Sequence, residues 1–384
     1  MARRKYTSLA FAAAAAMMTT AFCASAQDDV AETQSAILEV TKIADGLASP
    51  WSVEILPDGA YIISEKAGTM RIVRDGKVSK SIAGVPAVYD AGQAGLLDIA
   101  LDADFAQNRR LYFTAVVTDE AGHGTAVYSA TLARDESRLD DVQQIFLMHP
   151  ACTTDIQFGS RIAQAPDGSL FFGIGDCGER DRAQDPMDDA GKILHINADG
   201  TIPADNPFAG GAKGRPEIWS LGHRNPQGTV IDPKDDRLFT VEHGARGGDE
   251  INMPEAGKNY GWPVITYGKD YSGADIGIGT EAEGYEQPLY YWDPSIAPGA
   301  IAVYHGPMFP EWEGDFLVAA LKYQLIARLE REDSGTILSE ERMLQGDYGR
   351  IRDVKVAPDG SIIFITDDEN GALMRITRSN TAEQ

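Results

Sequence analysis

Positive charge is in short supply in this sequence. Its 34 Lys and Arg stand against 58 Asp and Glu, a formal net charge of −24, and so acidic a surface repels nucleic acid and anionic lipid while favouring solubility and calcium. Long apolar runs are missing beyond the N-terminus. No later stretch approaches the roughly 20 residues of a membrane helix, so no integral membrane segment is expected in the mature chain. No segment carries a sustained 3.6-residue apolar period with caps, which leaves very little room for helix. Cysteine is limited to Cys23, Cys152 and Cys177.

The N-terminus reads Met1-Ala-Arg-Arg-Lys5, then an Ala-rich run from Leu9 to Phe22, then Ala24-Ser25-Ala26. That is a basic n-region, an h-region too short to span a bilayer, and a small-x-small cleavage site. Residues 1–26 are read as a secretory signal peptide, 27–36 as a linker, 37–378 as one domain and 379–384 as a tail. The mature protein is then periplasmic or secreted, a lipoprotein being the alternative, although Phe22 rather than a small residue precedes Cys23. Cleavage removes three cations and no anion and takes the charge from −24 to −27. Cys152 and Cys177 remain, and in an oxidising compartment such a pair is a candidate disulfide; two buried free thiols are the alternative.

Internal repetition decides the architecture. Leu56-Pro-Asp-Gly59, Ala165-Pro-Asp-Gly168 and Ala357-Pro-Asp-Gly360 each precede a short apolar, β-branched or aromatic run, and degenerate copies start at Asp232 and Trp312. Asp-Gly between two such runs is a hairpin signal, because the turn needs positive φ at its centre. Units of roughly 50–60 residues that cannot bury both faces alone are stable when stacked around an axis, and about 340 residues hold about six. The chain is expected to be all-β, a six-bladed β-propeller of four-stranded antiparallel blades. A β-sandwich array is the alternative and accounts less well for the recurring turn.

Long polar, Gly-rich connections interrupt the pattern at 177–192, 202–216, 243–263 and 268–288, and loops of that length in a compact domain are functional or disordered. The densest stretch is Ser220-Leu-Gly-His-Arg-Asn-Pro-Gln-Gly228, followed by Glu242-His-Gly-Ala-Arg-Gly-Gly-Asp-Glu250 and Asn259-Tyr-Gly-Trp-Pro263. Cations, carboxylates, amides and turn glycines together are the inventory of a site for an anionic cofactor and a hard metal. The same composition also describes solvated turns tied together by Arg224 and Asn225.

These motifs resemble one family, the soluble quinoprotein aldose/glucose dehydrogenases, which use pyrroloquinoline quinone (PQQ) and calcium. The resemblance runs from about residue 40 to 377. It is carried by Gly92-Gln-Ala-Gly-Leu-Leu97, Phe158-Gly-Ser-Arg161, Leu221-Gly-His-Arg-Asn-Pro-Gln-Gly228, Gly248-Asp-Glu-Ile-Asn252, Asn259-Tyr-Gly-Trp-Pro263, Leu321-Lys322 and Arg350-Ile-Arg-Asp353. It implies oxidation of aldoses to lactones by hydride transfer to the quinone, with a small sugar as substrate and an electron acceptor that the sequence leaves unknown. It assigns Arg224 and Asn225 to the reacting carbonyl region of the cofactor, Lys322, Arg350 and Arg352 to its carboxylates, and Gln93 to a further contact. Guanidinium forks suit a tricarboxylate. Alone, Lys322 reads as a solvated lysine and the Arg350/Arg352 alternation as a rim ion-pair pattern; their joint match assigns them to the cofactor. The carbonyls of Gly244 and Ala245 are implied as calcium ligands, with Glu250 and the carbonyl of Tyr260 at a second, structural calcium. His223 and His243 are read as supporting residues.

The chain departs from the family at its catalytic base. The family's histidine, four residues before the arginine of Gly-x-Arg, is here Gln157, and an amide has no usable basicity. Asp176, matching a carboxylate that supports the base, or Asp155 could substitute; His149 is the nearest upstream histidine. Three readings follow: a dehydrogenase with a substitute base, a catalytically weak or inactive propeller that binds PQQ or sugar, and a calcium-only lactonase that would leave the cations unexplained.

Overall fold

Three Pro-Asp-Gly turns share one geometry. The amide of Leu56 bonds the carbonyl of Ala60 at 2.8 Å, Ala165 that of Ser169 at 2.8 Å and Ala357 that of Ser361 at 2.8 Å. Gly59, Gly168 and Gly360 take φ of +85°, +89° and +83°, a left-handed backbone that a Cβ would strain. Each turn joins the first and second strands of a sheet: Pro50–Ile55 to Tyr61–Glu65, Ile162–Gln164 to Leu170–Ile174, and Ile351–Val356 to Ile362–Thr366.

The computed structural model describes residues 29–379 apart from 34 and 119. The expected signal peptide and nearly all of the expected tail lie outside the described residues. Six antiparallel sheets are present, five of them four-stranded and built in chain order. The sixth takes three strands from the C-terminal end, Ile351–Val356, Ile362–Thr366 and Gly371–Arg378, and one, Ile37–Leu47, from the N-terminal end. Val40 pairs with Ile376 and Leu38 with Arg378, so the two ends of the domain close the ring within one blade. Asp29–Glu32, within the segment read as a linker, adds a fifth strand to that blade. The first strands of neighbouring blades pack side by side around the axis. The fold is the six-bladed β-propeller, and among the described residues helix is confined to Phe105–Asn108 and the 3₁₀ turns Arg180–Gln184 and Pro310–Trp312. No helix there is long and apolar enough to cross a membrane.

Between blades the contacts are apolar and buried, as with Trp51, Leu97, Phe158, Phe172 and Leu194. The axis itself is polar. Arg161, 3% exposed, sends its guanidinium to Asp98 Oδ1 at 2.9 Å and Asp353 Oδ2 at 3.0 Å. The same side chain donates to the carbonyls of Gly299, Trp51 and Arg352, each at 3.2 Å. One cation thus ties the inner strands of four other blades beneath the face on which the long loops gather. Breaking such a pair singly would leave an uncompensated buried charge, at a cost of about 3–5 kcal/mol.

Candidate functional site

First strands begin, and second strands end, on the face above Arg161, and the residues at those ends surround a cavity of about 330 Å³ on the axis. Its wall includes Gln93, Asn225, Gln227, Arg350 and Arg352, with Trp51, Leu97, Phe158 and Leu321 as apolar surface. Arg350 and Arg352 share one side of the inner strand of the last blade through the two-residue strand period. Both guanidiniums meet the same oxygen of Asp367, each at 2.9 Å. Burial would push the Asp367 carboxyl up, but Arg352 and Arg350 outweigh it and hold the group below its ordinary range. Arg352 also reaches Gln227 Oε1 at 3.4 Å, while its Nε is buried without a partner. That orphaned donor, beside the more exposed Arg350, is what an incoming carboxylate would satisfy. Lys322 stands at the rim next to Leu321, exposed, its ammonium 5.3 Å from the Tyr323 ring; it does not line the cavity.

Arg224 faces a different way. Its guanidinium donates to the carbonyl of His243 at 3.0 Å and to that of Gly244, and lies 5.3 Å from the Trp262 ring centroid. With Glu242, Gly244, Glu250 and Tyr260 it lines a small adjoining cavity. Here the polar groups are mostly acceptors. A Cβ on Gly244 would fall 2.2 Å from the carbonyl oxygens of both Gly247 and Gly248, so this backbone converges its oxygens at a point only glycine tolerates. Ala245, buried, bridges to Gly247. Glu250 is pushed up to about 8, first by burial and then by the charge of Glu242; Asn252 donates to both carboxyls, at 3.2 and 2.8 Å. Among the described residues no three His, Cys, Asp or Glu side chains form a metal-holding group, so any ligand set here must draw on main-chain oxygens. Two facing carboxyls and gathered carbonyls are oxygen donors of the hard kind that calcium takes, whereas the Arg224 guanidinium on the Gly244 carbonyl is a cation that a metal at that oxygen would have to displace.

The base position is enclosed. Gln157 adopts φ +61° and is buried; its amide N–H donates to Gln93 Oε1 at 2.7 Å, and its carbonyl accepts from Cys177 N at 3.3 Å. Its own Oε1 is buried with no partner. Cys152 and Cys177 form a disulfide with Cα atoms 5.8 Å apart, which clasps the Gln157 segment to the one carrying Asp176. Asp176 is fully buried, accepting from Gly178 N at 2.8 Å and from Trp262 Nε1 at 2.7 Å. Burial pushes its carboxyl up, against the pull of Arg224. Asp155 is exposed and takes the Tyr89 hydroxyl at 2.8 Å, while His149 is tied through its main chain to Asp189. Neither Gln157, Asp155 nor Asp176 lines the axial cavity.

The two histidines part company. His223 is a support: Nδ1 meets Glu242 Oε1 at 2.9 Å and Nε2 meets Ser220 Oγ at 2.8 Å. His243, read in the same way from sequence, instead lines the axial cavity. Its Nε2 is 2.8 Å from the Pro298 carbonyl, so the hydrogen sits there and Nδ1 keeps its lone pair. Burial first, then Arg224, Arg352 and Arg350, push this imidazole down to about 3. Asp367 and Gln227 were also missed by sequence reasoning, although Asp367 follows the second strand of its blade just as Asp176 does in its own.

A glucose/sorbosone dehydrogenase family model matches residues 47–375. The chain is 39% identical over 351 residues to aldose sugar dehydrogenase YliI of Escherichia coli K12, covering 90% of this chain and 94% of that one. It is 27% identical over 416 residues to quinoprotein glucose dehydrogenase B of Acinetobacter calcoaceticus, covering 87% and 86%. The PQQ-bound aldose sugar dehydrogenase of Streptomyces coelicolor superposes with a TM-score of 0.73 at 26% identity, over 88% of this chain and 98% of that one.

Proposed function

The chain belongs to the glucose/sorbosone dehydrogenase family, and we propose that it is an exported, PQQ- and calcium-dependent aldose sugar dehydrogenase that oxidises aldoses to lactones and passes electrons to an acceptor outside the chain. The observation that carries the reading is the axial cavity, where two guanidiniums with unspent donors stand beside amides and an apolar wall. Cavities of a few hundred Å³ with few convergent polar groups are the usual form of a cofactor site.

When bound, PQQ supplies the quinone that takes a hydride from the sugar carbon. The chain's own residues hold and orient. Arg350 and Arg352, with Lys322 at the rim, face the cofactor's carboxylates, and Asn225 and Gln93 contribute amide hydrogen bonds. Arg224 lies over the Gly244 carbonyl; the carbonyls of Gly244 and Ala245 would hold the calcium that meets the cofactor, with Arg224 turned off that oxygen, and Glu250 with the Tyr260 carbonyl would hold the structural one. Trp51, Phe158 and Leu321 exclude water, which strengthens each of these contacts. Gln157 is no base, so on this reading the sugar hydroxyl's proton goes to Asp176, whose carboxyl is pushed up by burial; because its bonds to Gly178 and Trp262 hold it outside the axial cavity, its segment would have to open toward the sugar. Gln157 supports the second reading as well, a PQQ- or sugar-binding propeller with little turnover.

Titrating purified protein with PQQ in the presence of calcium, by absorbance, followed by dye reduction across aldoses, tests the assignment. Lys322→Ala and Arg352→Ala are expected to bind PQQ at least tenfold more weakly, a loss of about 1.4 kcal/mol or more. Wild-type affinity in both variants would remove the cavity from consideration.

A further inference from the structure

Trp262 belongs to the long connection between the third and fourth strands of the fourth blade, yet its indole reaches the third-blade loop. There its Nε1–H donates to Asp176 Oδ2 at 2.7 Å, while Gly178 N donates to Oδ1 at 2.8 Å. The ring is held in place by other contacts. Its main-chain N–H donates to the Gly222 carbonyl at 3.0 Å, and its carbonyl accepts from Gln184 Nε2 at 2.7 Å. Ala183, Ala245 and Ile276 share a buried apolar cluster with it, and the guanidiniums of Arg224 and Arg180 stand over it at 5.3 and 5.7 Å from the centroid. Packing therefore uses the ring, whereas the Nε1–H is spent on Asp176.

Asp176 is fully buried, and an ionised carboxyl in such a place is costly unless donors face its oxygens. The charged groups around it are Arg224, in the connection from the third blade to the fourth, and Arg180 on its own loop. Both are engaged elsewhere. Arg180 pairs with Asp270 of the fourth-blade loop at 2.5 Å, and Arg224 donates to the carbonyls of His243 and Gly244. What the carboxyl has on its own oxygens is the main-chain N–H of Gly178 and the indole N–H of Trp262. A carboxyl that is already protonated cannot take a proton from a sugar. We propose that Trp262 is the positioning residue of this proton acceptor: it holds Oδ2 and keeps the Asp176 carboxylate ionised until the segment opens. The sugar's hydroxyl proton then passes to that carboxylate as the hydride leaves the sugar carbon for the quinone. The proposal rests on the aldose oxidation and the part in it given to Asp176 above.

Trp262→Phe removes the N–H and leaves an aromatic ring in the cluster. Independently of turnover, the Asp176 carboxyl is followed in the full-length protein by infrared titration, its band assigned by its loss in Asp176→Asn. Loss of a donor to the charged form moves the midpoint upward. A rise of about one pH unit is expected, a tenfold change in proton affinity. In PQQ-loaded protein the acid limb of kcat/KM for glucose is expected to rise by the same amount. If Trp262→Phe does not fold, benzothienylalanine at position 262, with sulfur in place of the indole nitrogen, keeps the ring's shape and carries the same test. An unmoved infrared midpoint overturns the proposal, and so does an acid limb that stays where it was while the midpoint moves. A midpoint that moves in protein that oxidises no aldose would uphold Trp262 as the group that keeps Asp176 ionised and refute the dehydrogenase.

Discussion

Removing the Cys152–Cys177 bond tests how the base segment is held. The bond closes a span of 25 residues, for which loop-closure entropy gives about 3.5 kcal/mol at 25 °C. With an unfolding entropy of about 2.1 cal/mol/K per residue over about 350 residues, that corresponds to a fall in Tm of about 5 °C. Both cysteines are buried, so Cys152→Ala with Cys177→Ala avoids placing new hydroxyls in the core. The effect should also be local. Cys177 N bonds the Gln157 carbonyl and Thr154 Oγ1 bonds that of Cys177, whereas Arg350, Arg352 and Asp367 belong to the last blade. Differential scanning fluorimetry and a PQQ titration on the double variant are expected to show the drop in Tm with cofactor affinity within about threefold of wild type. A Tm unchanged within about 1 °C would refute the crosslink's structural role, and a tenfold loss of PQQ affinity would refute its separation from the cofactor cavity.

Gln157→His is expected to raise turnover of loaded protein if base strength limits it, by up to about 10²-fold; little gain there, with Asp176→Asn inactive but still binding PQQ, would identify Asp176 as sufficient. Excess chelator is expected to lower Tm in calcium-loaded protein and to have a smaller effect in Glu250→Gln, because ligand bound only to the folded state stabilises it; equal shifts in both would take Glu250 out of the metal site. His305 is buried enough to be pushed down, but Glu313 and Asp232, at 2.5 and 2.9 Å, raise it above its ordinary 6.5. A raised histidine stabilises the fold below its unfolded value and loses that contribution as pH rises through the folded one, so the Tm gap between wild type and His305→Gln should be wider at pH 6 than at pH 9; a gap that grows with pH would contradict the pairing.

Turn chemistry made the propeller legible. Pro-Asp-Gly fixes a hairpin through local backbone preference, and three turns with φ near +85° appear where the sequence places them. Closure of the ring was not legible, because pairing of Ile37–Leu47 with Gly371–Arg378 depends on a contact between the ends of the chain that no local pattern encodes. Within the site, Arg350 and Arg352 could be placed on one side of a strand by its period. Asp367 could not be set against them, since its position depends on the neighbouring strand's register. His243 was missed for a related reason: its residue type fits either role, and only the folded chain places it in the wall of the axial cavity.

On the proposed reading, cofactor binding and proton removal fall to different parts of the ring, which would separate affinity from turnover. The cation pair and its carboxylate lie in the last blade, Asn225, Gln227 and His243 enter from the fourth, and Gln157 and Asp176 sit on the third-blade segments clasped by the disulfide. Sites without shared partners respond to substitution almost independently. Gln157 does touch one cavity residue, through its amide hydrogen bond to Gln93 at 2.7 Å, but that contact uses the main chain and does not need the glutamine side chain. A glutamine there can therefore slow proton transfer while the cation cavity keeps its shape, and tight PQQ binding with slow turnover is a coherent state of this chain. The converse pattern, weak PQQ binding with fast turnover of what is bound, would mean that the cavity and the Asp176 segment act as one unit.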